Sequence, residues 1–478
     1  MSSLALVSSV PTSVPPVVAH PEVPLVTGGQ VGYANLDHAA SAPCLELVRR
    51  AVDELLPWYA SVHRGAGFAS QVSTRVYEQA RNVVRDFVGA PSDAAVVFTR
   101  NTTDALNLLA RSLPKGTTVL RFDTDHHAAL LPWRGRQVRR LGVPASPEEA
   151  VAALDAALAD CPVGPRLVVL TAASNVTGEV WPVAELAAVA RRYGARVALD
   201  AAQLAPHRPL LAAEWDVDWV ALSGHKLYAP FGAGALVGRV DWLRAAEPYL
   251  VGGGATRQVV DLGDRLGVSW TAAPERHEAG SPNVVGVHAF AVACQALRQH
   301  GWDAIAVHEE ALVDRLREGL AAIPGVRQLA LWDADHPRVG VVSFVVSAPD
   351  GSGLVDPGLL AAALSAEHGV GVRDGAFCAH LTTRALLGRL GSDDQGAAPG
   401  QVGVSRALRA SVGLGTTAEH VERLLAALDE LVRRGPRWDY RLVAGRWTPD
   451  PDPRPLPALV TGDAGDVGPG CGSGTMAG

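Results

Sequence analysis

The stretch Ser223-Gly224-His225-Lys226-Leu227-Tyr228-Ala229-Pro230 carries one of only two lysines in a chain of 478 residues. The other is Lys115, although lysine and arginine together number 42. Arginine serves solubility, ion pairing and phosphate contact, but it cannot replace an amine that must lose its proton and form an imine with an aldehyde. Taken alone, the stretch fits an ordinary turn lysine equally well, which is what we expect of Lys115.

A second apolar run ends on an acid shortly before this lysine. The run from Arg196 to Leu199 leads to Asp200, and the run from Trp219 to Leu222 leads into the lysine segment. An acid and a lysine at the ends of two strands are the pair that pyridoxal phosphate uses, the lysine for a Schiff base and the acid for the pyridinium nitrogen. The pattern therefore favours a pyridoxal phosphate site.

The composition is typical of a globular enzyme. The chain is 48% hydrophobic and 19% charged, and its net charge of −7 gives no reason to expect nucleic acid as a partner. Five cysteines are scattered without CxxC pairs or zinc spacing, so we expect a reducing, cytoplasmic setting and no metal site. No apolar run approaches the roughly 20 residues that a membrane span needs.

The length and the texture of the chain predict two domains with flexible ends. Residues 1–30 are rich in Ser and Pro and are expected to form a flexible arm, and residues 447–478 a disordered tail. Between them we predict a large cofactor-binding domain at 66–300 and a small domain at 301–446. Residues 31–65 are expected to pack with the small domain.

Strand and helix signals alternate through the large domain. The predicted strands are Ala95 to Thr99, Thr118 to Arg121, Arg166 to Thr171, Arg196 to Asp200 and Trp219 to Ser223. Alternation at this spacing indicates an α/β fold with a mainly parallel sheet, helices on both faces and loops gathered at the carboxyl ends of the strands. The later part of the chain predicts a smaller α+β domain.

Polar side chains follow each of these strands. Thr102 and Thr103 begin a helix, where backbone N–H groups and hydroxyls can hold a phosphate, and Ser223 and His225 flank the lysine. The remaining candidates are His126 for contact with a flat ring, and Asn175 and Gln203 for its phenolic oxygen. Each residue has an ordinary explanation by itself, such as helix capping by Thr102. Their joint position at successive strand ends predicts one site.

The chain resembles the cysteine desulfurase branch of the class V aminotransferases, which use pyridoxal phosphate on the aspartate aminotransferase fold. The resemblance runs from about Tyr33 to Arg434. The stretches that carry it are Asn35 to Ala40, Val62 to Gly65, Phe98 to Asn107, Asp125 to His127, Ser174 to Gly178, Asp200 to Gln203, Ser223 to Pro230, Glu278 to Asn283, Val372 to Ala379 and Arg409 to Ser411.

The resemblance assigns roles to these residues. It implies that Lys226 carries the cofactor, that Asp200 pairs with the pyridinium nitrogen and that His126 stacks on the ring and transfers protons. It implies a substrate-carboxylate role for Arg409, with Arg373 and Arg64 in support. The family counterpart of Ser281 reaches the phosphate of the neighbouring subunit, which implies a homodimer with composite sites.

Cys378 matches the family nucleophile, and that match implies the reaction. A cysteine desulfurase removes sulfur from L-cysteine, releases L-alanine and retains a persulfide on the nucleophile, from which a sulfur-acceptor protein can take it. The residues alone allow another interpretation, because a buried and inert cysteine is a common fate for this side chain. Nearby Arg373 would stabilise a thiolate at Cys378.

Several departures from the family pattern leave alternatives open. Asn101 stands where the family commonly has Gly, Ser281 where Thr is usual, and His277 and Phe377 are unusual in their motifs. The segment at 381–401 is longer than expected. One alternative is another class V enzyme, such as a C–S lyase, an epimerase or an aminotransferase, in which Cys378 is incidental. The other is a non-catalytic partner protein with the same fold, which predicts loss of the lysine or the aspartate.

Overall fold

The computed structural model describes residues 14–351, 353–390 and 406–461. Its strands are β1 Glu22–Pro24, β2 Gln30–Gly32, β3 Ala34–Asn35, β4 Ala95–Thr99, β5 Thr118–Phe122, β6 Gln137–Leu141, β7 Arg166–Thr171, β8 Arg196–Asp200, β9 Trp219–Ser223, β10 Gly234–Gly238, β11 Thr256–Asp261, β12 Leu266–Trp270, β13 Val326–Leu329, β14 Val341–Val346, β15 Val370–Gly371, β16 Arg373–Gly375, β17 Ala407–Ser411, β18 Tyr440–Val443 and β19 Arg446–Pro449.

The α-helices alternate with the strands through the first two thirds of the chain. They are α1 Glu46–Leu55, α2 Phe68–Phe87, α3 Thr102–Ser112, α4 His127–Leu130, α5 Pro147–Ala159, α6 Val183–Arg192, α7 Asp241–Ala245, α8 Val284–His300, α9 Trp302–Ala322, α10 Pro357–His368, α11 His380–Arg389, α12 Ala418–Arg434 and α13 Ala458–Thr461. Among these described helices, none combines the length and the apolar character needed to cross a membrane.

A seven-stranded sheet in the order β4-β10-β9-β8-β7-β5-β6 forms the centre of the described structure. Only β10 runs antiparallel to its neighbours in this sheet. The two faces are buried by different helices, and side chains alternate between them: in β4, Val97 packs with Leu109 of α3, whereas Val96 packs with Val84 of α2. Because both faces are covered, the inner strands β7 to β10 are almost wholly buried, whereas the edge strand β6 is largely exposed. The predicted α/β fold is confirmed.

The register of the parallel strands sets the position of the site. Thr171 of β7 pairs with Asp200 of β8, and Asp200 in turn pairs with Ala221 of β9. The carboxyl ends of these strands therefore meet at one edge. Gly224 follows β9, and a β-carbon there would lie 2.8 Å from the carbonyl oxygen of Ala233. Only glycine allows the chain to turn so closely into Lys226.

A four-stranded sheet, β13-β14-β17-β16, with α9, α10 and α12 forms the second hydrophobic core. β3 joins this part of the molecule by pairing in parallel with β15. The segment 31–65 is nevertheless divided, because α1 packs against α8 on the central sheet. The prediction that the whole segment packs with the small domain is therefore corrected; the domain boundaries themselves stay predictions.

Both ends of the chain contain more ordered structure than their composition indicates. Within the predicted arm, β1 pairs with β2 and the N–H of Val26 donates to the carbonyl oxygen of Ala366. At the other end, β18 and β19 form a hairpin whose second strand runs to Pro449, so that residues 447–449 of the predicted disordered tail belong to a strand. Tertiary contacts outweigh the high Pro and Gly content in these places. Residues 1–13, 391–405 and 462–478, where the other predictions for the arm, the 381–401 segment and the tail fall, lie outside the described ranges.

A buried ion pair connects α2 with the segment that precedes α8. Glu278 accepts hydrogen bonds from Arg81 Nη2 at 2.7 Å, from the hydroxyl of Tyr77 at 2.9 Å and from the N–H of Phe98 at 2.6 Å. The side chains of Arg81 and Glu278 are 10% and 7% exposed. Breaking such a pair by removing one charge leaves the other charge buried and uncompensated.

We predict that Glu278→Gln lowers the free energy of unfolding by ~3–5 kcal/mol, because Arg81 keeps its charge without the buried counterion. Glu78→Gln is the matched control, since Glu78 contacts the same guanidinium but is 40% exposed. We expect it to cost about 0.5 kcal/mol. Urea unfolding followed by circular dichroism measures both, and equal losses would contradict the assignment.

Candidate active site

A cavity of about 250 Å³ opens where the carboxyl ends of the parallel strands meet. Twelve of the fourteen site residues predicted from the sequence line it: Thr102, Thr103, His126, Asn175, Asp200, Gln203, Ser223, His225, Lys226, Arg373, Cys378 and Arg409. Residues from the central sheet and from the second core thus face one space. The arrangement matches the prediction that polar residues at successive strand ends form a single site.

Lys226 lies in a short 3-10 turn directly after β9. Burial lowers the pKa of its amine to about 8, against the opposing attraction of Asp200. Its Nζ donates to Oε1 of Gln203 at 3.4 Å. A desolvated lysine with a lowered pKa has a substantial uncharged fraction near neutral pH, which is the form that attacks a carbonyl.

Asp200 closes β8 and is almost completely buried. Burial raises the pKa of its carboxyl, and the N–H of Ala202 opposes this by donating to Oδ1 at 3.0 Å. A buried carboxylate of this kind is stabilised by a cationic partner. The protonated nitrogen of a pyridine ring would supply that partner.

A group of hydroxyls surrounds the start of α3. Both the N–H and the hydroxyl of Thr102 lie 2.8 Å from Oγ of Ser223. Asn101 caps the helix by accepting from the N–H of Asp104 at 3.0 Å. Asn101 therefore stabilises the start of α3, at the position where the family commonly has Gly. The helix N-terminus, with Thr103 on its first turn, has the donors that a phosphate group needs.

His126 precedes the short helix α4 and caps it. Its Nδ1 accepts from the N–H of Ala128 at 3.0 Å, so the proton of the neutral ring lies on Nε2. Burial lowers the pKa of His126 to about 3, and the nearby Lys226 cation adds to this effect. The side chain is therefore a neutral ring whose Nε2–H is available as a donor.

Cys378 is exposed at the cavity on a tightly held loop. Phe377 and Cys378 both have φ of +53°, in the left-handed region that costs an ordinary residue about 1–2 kcal/mol. Two contacts hold this conformation. The side-chain amide of Asn175 donates to the carbonyl oxygen of Phe377 at 2.8 Å, and the N–H of His127 donates to that of Cys378 at 2.8 Å.

Arg409 lies in β17 and is buried at the back of the cavity. Its Nη2 donates to Oδ1 of Asp37 at 2.9 Å, its Nη1 donates to the carbonyl oxygen of Asn175 at 3.0 Å, and the guanidinium lies 5.0 Å from the centre of the Phe377 ring. Burial lowers the pKa of Arg409, and Asp37 opposes this shift. In the described part of the chain, the buried Nε has no hydrogen-bond partner.

Asp37 is the residue that sequence reasoning missed at this site. It lies in the quoted stretch Asn35 to Ala40, but no role was assigned to it. Besides Arg409, it lies 4.0 Å from Nη1 of Arg373. Asp37 follows β3 closely in sequence, and the pairing of β3 with β15 brings this N-terminal segment to the cavity. That pairing spans more than 300 residues of sequence and cannot be read locally.

Arg64 and Ser281 do not reach this cavity. They line a separate one of about 550 Å³, together with Tyr59, Gly253 and Glu278 among others. The supporting role that the resemblance implies for Arg64 near the entrance stays a prediction, since within one chain Arg64 lines only this second cavity. The prediction for Ser281 concerned the neighbouring subunit, and a separate cavity is consistent with it.

Comparison with known proteins identifies the family. Residues 34–424 match the model of the aminotransferase class-V family. The chain is 34% identical over 423 residues to a cysteine desulfurase of Dickeya dadantii, covering 85% of this chain and 93% of the relative.

Solved structures agree with this match. A cysteine desulfurase from Escherichia coli is similar with a TM-score of 0.69 and 29% identity, over 84% of this chain and 95% of that one. A cysteine desulfurase from Thermococcus onnurineus gives a TM-score of 0.70 and 29% identity, over 91% of this chain and 100% of that one. The fold and cofactor class predicted from the sequence are thereby confirmed. The chain belongs to the cysteine desulfurase-like class V aminotransferases, a family of pyridoxal phosphate-dependent enzymes.

Proposed function

We propose that this protein removes sulfur from L-cysteine, releasing L-alanine and leaving a persulfide on Cys378. The observation that carries the proposal is the position of Cys378, exposed on a strained loop at the cavity that also contains the buried Lys226 and Arg409. A nucleophile at the rim and an amine at the base suit a substrate that is held by its amino-acid end and attacked at its side chain.

The chain offers what the cofactor needs. Lys226 would hold pyridoxal phosphate covalently and Asp200 would pair with its ring nitrogen. Thr102, Thr103, Ser223 and His225 would bind the phosphate, His126 would contact the ring face, and Gln203 the phenolic oxygen. When bound, the cofactor supplies an electron sink for the bond that breaks at the α-carbon.

Arg409 is proposed to bind the α-carboxylate of the substrate, and Lys226 to remove the α-proton. The burial of Arg409 and its position at the cavity support the first role, because charge-assisted hydrogen bonds are strong where water is excluded. The lowered pKa of Lys226 supports the second, since its amine accepts a proton near neutral pH. Arg373 would guide the carboxylate inward from its exposed position beside Asp37.

The sulfur step takes place between two thiols. The thiolate of Cys378 attacks the sulfur of the substrate; the new S–S bond forms as the C–S bond breaks, and the electron pair of that bond returns to the carbon skeleton. The carbon then gains a proton, and we assign its delivery to the Nε2–H of His126, which lines the same cavity. Cysteine and one thiol thus become alanine and one persulfide, with atoms and electrons balanced.

The exposure of Cys378 also supports transfer of the persulfide sulfur to an acceptor protein. The presence of both Lys226 and Asp200 in the cavity speaks against a non-catalytic partner protein. Cytoplasmic location stays a prediction from the sequence.

We also propose that two copies of the chain form composite sites. Arg64 and Ser281 line a cavity apart from Lys226. Close in sequence to the residues of that cavity, the β11–β12 hairpin exposes a set of apolar side chains, and the 3-10 turn Leu56–Trp58 with its neighbours exposes another. The exposed residues are Val259, Val260, Leu262, Leu266, Val268, Trp58, Tyr59 and Phe68. Apolar hairpins of this kind are seldom left uncovered, and a second copy would cover this one.

A prediction about Cys378 separates sulfur transfer from α-carbon chemistry. Cys378→Ala removes one sulfur atom, so exchange of the α-hydrogen of L-cysteine with deuterated water should persist while alanine release falls by roughly 100-fold or more. Lys226→Arg should lose both activities, and Cys44→Ala, a change at another free cysteine, should lose neither. Mass spectrometry measures both products. Alanine release from Cys378→Ala at the wild-type rate would replace the persulfide mechanism by a lyase, epimerase or aminotransferase reaction.

A prediction about Arg64 tests the composite site. Co-expression of Lys226→Arg chains with Arg64→Ala chains should restore about a quarter of wild-type alanine release, because about half of the dimers are mixed and each has one site with both residues intact. Each variant alone should be nearly inactive. Activity of the mixture no higher than the average of the separate variants would show that Arg64 serves its own chain.

A further inference from the structure

A compact segment follows α12, beyond the residues that match the family. We call residues 436–455 the C-terminal strap; it contains β18 and β19. The N–H of Asp450 donates to the carbonyl oxygen of Asp439 at 2.9 Å, and Nε1 of Trp438 donates to that of Pro451 at 2.8 Å. These contacts close the strap on itself, so it can act as one unit.

The strap is attached to both ends of α10. Near the end of the helix, the buried carboxylate of Glu367 accepts from the N–H of Arg437 at 3.0 Å and from the hydroxyl of Tyr440 at 2.9 Å. At the start of the helix, Asp356 accepts from the N–H of Gly358 at 2.7 Å and from Nε1 of Trp447 at 3.0 Å. Asp356 is therefore both the helix cap and an anchor of the strap.

The same Asp356 connects the strap to the loop of the proposed nucleophile. Nη1 of Arg406 lies 3.8 Å from Oδ1 of Asp356, and the guanidinium also pairs with Asp374. Asp374 lies in β16, four residues before Cys378. A chain of contacts thus runs from Trp447 through Asp356 and Arg406 to the strand that leads into Cys378.

The loop after β16 depends on contacts of this kind. Phe377 and Cys378 both have positive φ, and for residues other than glycine such a conformation persists only where surrounding structure holds it. Asn175 and His127 hold the far side of the loop through its carbonyl oxygens. On the near side, the ion pair of Asp374 fixes the end of β16.

We propose that Arg406 is a positioning residue for Cys378, and that the C-terminal strap sets Arg406 in place through Trp447 and Asp356. The strap thereby keeps the nucleophile loop in its reactive conformation. The role is structural at a distance: neither Arg406 nor Trp447 lines the cavity.

The test compares single-residue variants of the full chain by amide hydrogen exchange of residues 374–379. Trp447→Phe removes the indole N–H together with its five-membered ring, as does the control substitution at Trp438, and Arg406→Gln removes both ion pairs. Each should raise exchange of this segment by about fivefold, the effect of losing roughly one net hydrogen bond. Trp438→Phe is the matched control, because its indole bond lies within the strap, and it should leave exchange at 374–379 unchanged.

Kinetics gives a second readout, which rests on the proposed function. In Trp447→Phe and Arg406→Gln, kcat for alanine release should fall by about fivefold while KM for L-cysteine stays within about twofold, because Arg409 is untouched. Arg406→Lys, which keeps one positive charge beside Asp374, should recover most of the lost rate.

Exchange at 374–379 that is the same in Trp447→Phe, Arg406→Gln and the Trp438→Phe control would overturn the proposal. A kcat that is unchanged while exchange rises would overturn the positioning role as well. If the wild-type chain releases no alanine from L-cysteine, the proposed function fails, whereas the exchange result still decides whether the strap holds the loop.

Discussion

The burial of an amine and a carboxylate at the ends of two neighbouring strands is the constraint on which the rest of this structure depends. Lys226 and Asp200 are both removed from water, so each is costly to keep charged without a partner. Parallel pairing of β8 with β9 brings them to the same edge of the sheet. Helices on both faces of the sheet exclude water from that edge, and a cofactor that is both cationic and electrophilic resolves the two costs together.

Asn175 connects the two halves of the site. It was predicted to contact the phenolic oxygen or the substrate, and it lines the cavity as expected. In the structure its side-chain amide also holds the carbonyl oxygen of Phe377, while its own carbonyl oxygen accepts from Arg409. The loop that carries Cys378 and the arginine proposed for the carboxylate are therefore both hydrogen-bonded to Asn175, which follows β7. These two contacts of Asn175 fix the distance between the groups proposed to bind the two ends of an amino acid.

The parts of the fold that could be predicted are those whose signals are local. The strands at Ala95–Thr99 and Arg196–Asp200 were predicted correctly because a strand buried on both faces is a short apolar run of neighbouring residues. Asp37 was missed because its partner, Arg409, is 372 residues away. The part of the strap from residue 447 onward was taken for disorder, because its high Pro content gives no local sign of the contact between Trp447 and Asp356. The position of Arg64 at the second cavity could not be predicted either, because it depends on how distant segments of the chain fold together.

The ion pair between Asp37 and Arg409 has a consequence for affinity. The guanidinium already has an anion beside it, so an arriving carboxylate shares a charge that is partly neutralised rather than meeting a bare one. The net electrostatic gain on binding is therefore smaller than at an arginine without a counterion, although the hydrogen bonds from the guanidinium still orient the carboxylate. In the proposed reaction, the same pair lowers the energy needed to release alanine, and it thereby favours exchange of the product for the next cysteine.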